Sequence, residues 1–345
     1  MRNECRGPGA SCAPTIADLV EPVELSVVVP VYNEADSIEP FLARLLPVLR
    51  EHVTEYEVIF AVDPGRDDTE AVIRRARVAD PAVKMVVFSR RFGQPTATLA
   101  GIDFASGSAV VVMDVDLQDP PELIPEMLAR WREGFEVVYA QRRDRRGDRW
   151  IKRVVSKLGY GLINRFGEVD IPRDTGDFRL MDRRVVNELR RFPETHGFLR
   201  GMVALVGFRQ AAVVFDRPAR HAGKGHYNRF LGSLRIGLNG LIAFSTALLN
   251  IATAVGFVAA VTAFVLAVGY VVTQIIEEPF PVGNPTIVVS VLFVGGVQLI
   301  CLGIIGQYIG RIYDEVKRRP RYIVDVAEGF VDELEPAARV QELER

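Results

Sequence analysis

Cysteine and histidine are scarce in this sequence, which has three cysteines and four histidines among 345 residues. Cys5, Cys12 and Cys301 are an odd number and lack the close spacing typical of zinc ligands. A disulfide framework and a Cys/His zinc site are therefore both poor explanations of the fold. We expect the globular part of the chain to be reduced and cytosolic.

The sequence also lacks an excess of charge of either sign. Its 42 Lys and Arg residues are balanced by 44 Asp and Glu residues, so no basic surface for nucleic acid is expected. Neither a Walker motif nor G-x-G-x-x-G follows the first apolar run, which argues against a P-loop NTPase and a dinucleotide oxidoreductase. Residues 1–23 lack the apolar core of a signal peptide, and we expect them to form a disordered tail.

Two long runs near the C-terminus contain no charged residue, at 236–276 and 279–310. Each exceeds the roughly 20 residues needed to cross a bilayer, and we predict spans at about 248–272 and 287–309. Two buried core helices are the alternative, although such helices normally keep a polar stripe. Lys and Arg follow the second span and are missing from the loop between the spans. The positive-inside rule therefore predicts that both termini, and the part of the chain before the first span, are cytoplasmic.

Between residues 24 and 230, short β-branched runs alternate with amphipathic stretches. This alternation predicts parallel strands joined by right-handed helical crossovers, which is a Rossmann-like α/β domain. Ligands of such sheets bind beyond the carboxyl ends of the strands. Those ends are expected at residues 30–34, Asp63 and residues 114–116, which are acidic where a phosphate-binding loop would be rich in glycine.

Two further segments have the spacing of amphipathic helices, at 150–166 and 230–245. The first places Lys and Arg beside apolar residues, and the second has Arg235 as its only charge. We interpret both as helices that lie in the membrane interface. Ordinary surface helices packed on the sheet are the alternative for each.

The run VVVMDVDLQDPPE, at residues 110–122, ends an apolar strand in a group of oxygen-bearing side chains. In an extended segment, Asp114, Asp116 and Gln118 would point to one side. Two carboxylates and an amide oxygen are hard ligands that suit Mg²⁺ or Mn²⁺. Such an ion would neutralise charge on a diphosphate leaving group. The alternative is a solvated acidic turn before a helix that begins near Pro120.

Several motifs together make the sequence resemble glycosyltransferase family 2. They are VPVYNE after the first strand, Asp63 after the second, SRRFGQPTATLAGIDFASG before VVVMDVDLQDPPELI, then TGDFRLMDRR, and finally RIYDEVKRRPRYIV. More narrowly, the sequence is similar to the polyprenyl-phosphate glycosyltransferases. That group includes dolichyl-phosphate mannose synthases and bacterial undecaprenyl-phosphate glucosyltransferases of the Gtr type. The resemblance covers residues 24–326.

The resemblance implies a GT-A fold followed by interface helices and two transmembrane helices. It also implies a nucleotide-sugar donor, a lipid-phosphate acceptor and inversion at the anomeric carbon. The family positions that contact the nucleoside correspond to Pro30, Tyr32, Glu34 and Asp63. The positions around the metal correspond to Asp114, Asp116 and Gln118. We also count Asp114 as a donor-binding residue, and Asp116 is the first catalytic candidate. The positions that receive the acceptor phosphate correspond to Arg142, Lys152 and Ser156.

Asp177, in TGDFRL, is the family position usually proposed beside the reacting centre, and it is the second catalytic candidate. An acceptor phosphate is already ionised near neutral pH, so a general base is hardly needed. We interpret Asp177 as orienting the sugar or the donor-binding side chains of Arg179 and Arg200. An aspartate that only fixes its loop is the alternative.

Two departures from the family pattern affect the donor site. The usual V-D-D-G-S-x-D reads VDPGRDD at residues 62–68, where Pro64 removes a carboxylate and Arg66 adds a cation. The identity of the nucleotide base is therefore left open. The usual R-x-x-G-x-[ST]-K-Y reads RHAGKGHY, so that His226 replaces a lysine. A permanent charge for the donor diphosphate then becomes pH-dependent, unless the neighbouring Lys224 supplies it.

The predicted activity is a metal-dependent, inverting transfer of one sugar to undecaprenyl phosphate at the cytoplasmic face of the inner (plasma) membrane. UDP-glucose is the best candidate for the donor. A processive polysaccharide synthase of the same superfamily is one alternative, although the Q-x-x-R-W motif of such enzymes is missing. A non-enzymatic membrane protein that binds a nucleotide-sugar is another.

The predicted organisation has five parts and a homo-oligomeric assembly. Gly295, Gly296 and Gly303 in the second span permit close helix contact, which favours the oligomer. The parts are a disordered tail at 1–23, a GT-A domain at 24–229, an amphipathic interface helix at 230–247, a two-helix transmembrane region at 248–310 and a cytoplasmic tail at 311–345.

Overall fold

A computed structural model describes residues 23–143, 175–192, 199–216, 247–276 and 284–330. Within these residues, eight strands form one sheet in the order β7-β5-β6-β4-β1-β2-β3-β8. The strands are β1 (Leu25–Val31), β2 (Tyr56–Val62), β3 (Val83–Phe88), β4 (Ala109–Val112), β5 (Val137–Arg142), β6 (Thr175–Asp182), β7 (Gln210–Phe215) and β8 (Val324–Glu328).

The four central strands are parallel and are joined by helices. β1 pairs with β2 on one side and with β4 on the other, so that Val28 is level with Ile59 and Val112. β2 pairs in turn with β3. The connecting helices are α1 (Ala35–His52), α2 (Thr69–Ala79) and α3 (Gln94–Phe104). The Rossmann-like α/β arrangement predicted from the alternating pattern is confirmed.

Beyond these four strands the sheet is mixed, so the expectation of a parallel sheet holds only for its centre. β6 runs antiparallel to both β4 and β5, whereas β7 is parallel to β5. β8 runs antiparallel to β3 at the opposite edge. The helices in this half are α4 (Ile124–Arg132), α5 (Arg183–Arg190) and α6 (Leu199–Val206).

Helices cover both faces of the sheet, which explains why its central strands are apolar on both sides. Val27 and Val29 belong to a core with α1, α2 and α4, whereas Val28 belongs to a second core with α3, α5 and α6. Gly101 allows α3 to approach the sheet closely, because a Cβ there would lie 2.3 Å from Cγ1 of Val28. With both faces covered, the carboxyl edge of the parallel strands is left for a ligand.

Two long apolar helices, α7 (Ala247–Ile276) and α8 (Asn284–Val316), lie in the C-terminal part of the chain. Their most apolar windows, Leu249–Leu266 and Phe293–Val316, are long enough to cross a membrane by length and composition. Large apolar side chains on α7 such as Phe257 and Phe264 are 70% exposed. The alternative of two buried core helices therefore does not describe them.

After α8 the chain returns to the sheet, so that part of the segment expected as a cytoplasmic tail, 311–345, forms a strand. α8 continues to Val316, and β8 then pairs with β3 so that Val324 is level with Phe88. Glu328, at the end of β8, forms ion pairs with Arg74 and Arg77 of α2. A five-residue edge strand has little local signal in the sequence, because its pairing partner lies far away in the chain. The predicted interface helices at 150–166 and 230–245 and the N-terminal tail to residue 22 lie outside the described residues.

Candidate active site

The parallel register brings four separate segments of the chain to one edge of the sheet. They follow the carboxyl ends of β1, β2, β3 and β4, where α/β proteins bind their ligands. Among the predicted donor and metal residues, Tyr32, Glu34, Asp63, Asp114, Asp116 and Gln118 all lie on these segments. Residues that are far apart in the sequence are therefore neighbours along this edge.

Asp63, directly after β2, is almost fully buried, with 2% of its surface exposed. One carboxylate oxygen accepts the backbone N–H of Phe92 at 2.9 Å, and the other accepts that of Gly93 at 2.8 Å. Gly93 has φ 94°, a backbone conformation that favours glycine, and it caps the start of α3. The carboxylate therefore fixes the loop between β3 and α3.

The loops after β1 and β2 are bound to each other. Asn33, in the left-handed region with φ 53°, accepts the backbone N–H of Arg66 at 2.8 Å through Oδ1. Asp67 accepts the N–H of Ala35 at 3.1 Å in the opposite direction. A Cβ on Gly65 would lie 2.1 Å from Oδ1 of Asn33, so the close approach requires glycine. The unusual sequence after β2 thus forms a defined loop against the end of β1.

Tyr32 and Glu34 are half-buried at the end of β1. The guanidinium of Arg91 lies 3.8 Å from the centre of the Tyr32 ring, a cation–π contact between two loops. Glu34 accepts the hydroxyl of Ser37 at 2.7 Å and is the residue directly before α1. These two side chains form part of the edge beside the loop that Asp63 holds.

Pro30 is buried within β1 and shapes the strand at its end. Val28 O accepts the N–H of Met113 and Val31 O accepts that of Asp63, so the nitrogen of Pro30 faces the β4 side. Pairing with β4 ends at Val28, and no ladder bond is lost at the proline.

Asp114, Asp116 and Gln118 lie in a turn after β4, so the expectation of an extended segment is wrong. Leu117 has φ 58°, and this left-handed residue turns the backbone. Asp116 is 7% exposed and accepts the N–H of Gln118 at 3.1 Å. Asp114 is half-buried and accepts Nε2 of Gln94 at 2.8 Å. The turn keeps all three oxygen-bearing side chains beside the end of β4.

Asp177 lies near this turn because β6 pairs with β4. The register sets Val112 opposite Arg179, and Asp177 lies two residues before Arg179, at the end of β6 that adjoins the carboxyl end of β4. Oδ1 of Asp177 accepts Nε of Arg200, on α6, at 2.8 Å. The two predicted catalytic aspartates therefore belong to neighbouring segments of the same edge.

Three guanidinium groups determine the electrostatics around Asp177. Burial alone would raise the pKa of Asp177, but the charges of Arg200, Arg179 and Arg142, with the hydrogen bond from Arg200, outweigh burial and lower it. Arg179 is 4% exposed and donates to the carbonyl of Gly176 at 2.9 Å. Guanidinium groups are donors that suit an anionic ligand, and three of them act on Asp177 here.

The structure brings together Arg142 and Arg200, which the sequence analysis assigned to acceptor and donor respectively. Arg142 ends β5, and its Nη2 would lie 3.5 Å from a Cβ on Gly176, next to Asp177. The other predicted phosphate ligands, Lys152 and Ser156, and the donor candidate Lys224 lie outside the described residues.

Sequence reasoning missed the supporting roles of Asn33, Asp67 and Gln94. Asn and Asp are favoured in turns and left-handed positions, which was an available signal for the first two. Gln94 begins the helix after a parallel strand, a place where ligands bind. What the sequence could not show is that Gln94 reaches the aspartate after β4.

Oxygen-bearing ligands for a cation are present at the turn after β4, but they are few. No group of three His, Cys, Asp or Glu side chains placed to hold a metal ion is found in the part of the chain that the structure describes. A cation held by one or two carboxylates commonly completes its coordination with water and substrate phosphates. The edge therefore offers carboxylates after β4 and guanidinium groups beside β6.

Two family models match the sequence: glycosyl transferase family 2 over residues 26–190, and the GtrB C-terminal hairpin over residues 254–312. The glycosyltransferase sll0501 of Synechocystis sp. is 43% identical over 302 residues, which cover 88% of this chain and 95% of that protein. The SfII prophage-derived bactoprenol glucosyl transferase of Shigella flexneri is 38% identical over 302 residues, covering 88% and 97%. The similarity thus extends from the α/β part through the apolar helices.

Solved structures also resemble this chain. Glucosyl-3-phosphoglycerate synthase from Mycobacterium tuberculosis, in complex with Mn²⁺, UDP and phosphoglyceric acid, is 19% identical with a TM-score of 0.48, and the match covers 64% of this chain and 78% of that one. Mannosyl-3-phosphoglycerate synthase from Rubrobacter xylanophilus is 17% identical with a TM-score of 0.47, covering 64% and 73%.

Asp63→Asn should loosen the loop before α3, because an amide cannot accept both backbone N–H groups. Loss of one hydrogen bond to a charged acceptor costs about 1.5 to 3 kcal/mol. We therefore expect amide exchange in residues 89–96 to accelerate by roughly tenfold to a hundredfold, measured by hydrogen–deuterium exchange mass spectrometry. Asp68→Asn is the control, because Asp68 is exposed and its side chain caps no helix N–H. Unchanged exchange in Asp63→Asn would contradict the positioning role.

Proposed function

This chain belongs to glycosyltransferase family 2, and from that premise we propose that it is a membrane-bound enzyme that transfers glucose from UDP-glucose to a polyprenyl phosphate. Undecaprenyl phosphate is the proposed acceptor, and the anomeric carbon is inverted. The observation that carries the proposal is the similarity to bactoprenol glucosyl transferases over almost their whole length. That similarity includes the apolar hairpin, which a soluble sugar transferase does not need.

At the donor edge we propose that Tyr32 and Glu34 contact the nucleoside, and that Asp63 acts by holding the loop beside them. Both oxygens of Asp63 accept backbone N–H groups, which supports a positioning role. Pro30 acts by shaping the end of β1, since it is buried in that strand. Lys224 remains the predicted partner of the donor diphosphate.

The proposed cofactor is a divalent cation, Mg²⁺ or Mn²⁺, held by Asp114 and Asp116 with Gln118 beside them. These residues fit such a cation, because their oxygens are hard ligands gathered in one turn. When bound, the cation supplies Lewis-acid stabilisation of the charge on the leaving nucleoside diphosphate. Gln94 restrains Asp114 through its 2.8 Å hydrogen bond, so the turn is oriented before the donor binds.

Asp177 is proposed to orient neighbouring groups and not to remove a proton. Its lowered pKa makes it a weak base at neutral pH, and a phosphate acceptor is already ionised there. The 2.8 Å bond to Nε of Arg200 supports a role in aligning that guanidinium. Arg179, buried beside it, adds to the positive field that draws an anion to this corner.

We propose that Arg142, with Lys152 and Ser156, receives the phosphate of the lipid acceptor. Arg142 ends β5 beside the strand that carries Asp177. A phosphomonoester is bound well by several charge-assisted donors, and a guanidinium at this corner offers two of them to one phosphate. The acceptor oxygen would then approach the sugar from the β5–β6 side of the edge, opposite the nucleoside.

Helices α7 and α8 are proposed to anchor the enzyme in the plasma membrane with both termini in the cytoplasm. Arg311 lies in the last part of α8, and Lys317, Arg318, Arg319 and Arg321 follow it, whereas residues 277–283 between the helices carry no Lys or Arg. We keep the domain division of the sequence analysis, with residues 324–328 added to the catalytic domain because they form β8.

The proposed homo-oligomer would use the glycines of α8. A Cβ built on Gly295, Gly296 or Gly303 meets no atom within 4 Å. Small residues on an open helix face let a second helix approach closely in a membrane.

The function is tested by incubating membranes that contain the protein with radiolabelled nucleotide-sugars and counting the butanol-extractable lipid. UDP-glucose should give the strongest labelling, excess EDTA should abolish it, and Mg²⁺ or Mn²⁺ should restore it. Asp116→Asn should lower the rate at least about a hundredfold, because it removes several kcal/mol of metal-mediated stabilisation. Asp36→Asn, an exposed position on α1, is the control. Donor binding without any labelled lipid would favour the sensor alternative, and full activity in excess chelator would contradict the metal site.

The acceptor site is tested by Lys152→Ala. Loss of one charge-assisted contact costs about 1.5 to 3 kcal/mol, so the KM for lipid phosphate should rise roughly tenfold to a hundredfold where KM follows binding. The KM for the nucleotide-sugar should stay nearly constant, and Lys152→Arg should restore part of the loss. Arg143→Gln is the control, because Arg143 is exposed and pairs with Asp216. Equal losses toward both substrates would assign Lys152 to the donor diphosphate.

The topology is tested with single cysteines in a variant that lacks the three native ones. A cysteine at any of residues 277–283 should react with an impermeant reagent outside intact cells. A cysteine at Lys317 should react only after the membrane is permeabilised. The reverse pattern would place the catalytic domain on the opposite side.

A further inference from the structure

The end of α8 is tied closely to the carboxyl edge of the sheet. The apolar window of α8 ends at Val316, and the carbonyl of Ile323 accepts the N–H of Ser89 at 3.0 Å, directly after β3. Seven residues at full extension span about 25 Å. Asp63 accepts the backbone N–H groups of Phe92 and Gly93 in the loop that follows Ser89. This loop therefore lies within about 25 Å of the end of the apolar helix.

Residues 317–321, which we name the basic linker, join these two points. Their sequence is KRRPR, with four cations and no acid. Arg318 and Arg319 are exposed, and Arg318 turns the backbone with φ 47°. Arg321 is used differently, because it donates to the carbonyl of Phe192. The linker thus has one cation bound to the catalytic domain and a pair directed to solvent.

Two more exposed cations, Arg90 and Arg91, begin the loop that the linker reaches. Their guanidinium groups lie 3.9 Å and 3.8 Å from the ring centres of Phe92 and Tyr32, and Arg90 also donates to the carbonyl of Arg91 at 3.3 Å. Neither pairs with a carboxylate of the described residues. The acids nearest in the chain, Asp314 and Glu315, lie one residue or two before the end of α8. In the described segments 90–91 and 314–321, six cations stand against two carboxylates.

We infer that the basic linker, together with Arg90 and Arg91, binds the headgroups of anionic phospholipids and holds the carboxyl edge of the sheet at the membrane surface. The inference rests on the proposed insertion of α7 and α8. The binding partner is a bilayer, because Arg318 and Arg319 follow within three residues of the apolar window of α8. Anionic headgroups attract cations strongly within a Debye length of the surface. The edge would then face the leaflet in which a lipid phosphate lies.

The test compares the full-length protein in nanodiscs of phosphatidylcholine alone and of phosphatidylcholine with phosphatidylglycerol. Deuterium uptake by residues 317–323 and tryptic cleavage after Lys317 and Arg318 are measured at low and high salt. We expect both to slow in the anionic nanodiscs by about fivefold for each engaged cation, and the difference to vanish at high salt. Neither readout requires glycosyl transfer. Failure to enter nanodiscs would refute the membrane proposal, whereas entry without lipid-dependent protection would refute only this inference.

Arg318→Gln/Arg319→Gln should lose the lipid-dependent slowing of deuterium uptake. Arg75→Gln/Arg130→Gln, which removes two exposed cations from α2 and α4, should keep it. Protection by inorganic phosphate or by polyprenyl phosphate in neutral nanodiscs would overturn the inference, because the linker would then bind a phosphate group and not a charged surface. Equal protection in both kinds of nanodisc would overturn it as well.

Discussion

Parallel pairing of β4, β1, β2 and β3 is the constraint on which the rest of the molecule depends. Parallel strands must be joined by crossovers, so helices cover both faces of the sheet and every carboxyl end meets at one edge. The loops at that edge are then bound to each other by polar contacts. Asp63 is the most buried of these, and it ties the end of β2 to the loop after β3 by accepting two backbone N–H groups. A substitution of Asp63 would therefore shift the loop after β3.

The antiparallel strand β6 places opposite charges beside each other. Its register brings the start of β6, which carries Asp177, to the carboxyl end of β4, where the carboxylate-bearing turn begins. The charges of three guanidinium groups act on Asp177. In the proposed reaction both substrates carry phosphate and repel each other. Carboxylates that suit a cation and guanidinium groups that suit a phosphate would each reduce that repulsion. The lowered pKa of Asp177 favours its ionised form, and its Oδ1 accepts Nε of Arg200 at 2.8 Å.

The strand β8 makes the apolar hairpin and the catalytic sheet parts of one structure. β3 would be an edge strand without it, with unpaired backbone groups open to aggregation. Glu328 at the end of β8 binds Arg74 and Arg77, and Tyr322 just before β8 donates to Asp103 at 3.1 Å. The segment after α8 is therefore held to the sheet domain at both ends of β8. The position of the sheet relative to α8 is consequently restrained by covalent chain as well as by contacts.

Local pattern determined much of this protein. The alternation of β-branched runs and amphipathic stretches was enough for β1 to β4 and α1 to α3, and the charge-free runs were enough for α7 and α8, because each depends on neighbours in the sequence. Motifs also identified the edge residues, including Asp63, Asp114 and Asp177. Tertiary structure decided what those residues touch. The turn at Leu117, the pairing of Asp177 with Arg200, the contact of Gln94 with Asp114 and the pairing of β8 with β3 all involve either a left-handed residue or partners distant in the chain. Such contacts carry no local signal, because their energy exists only once the sheet has brought the segments together.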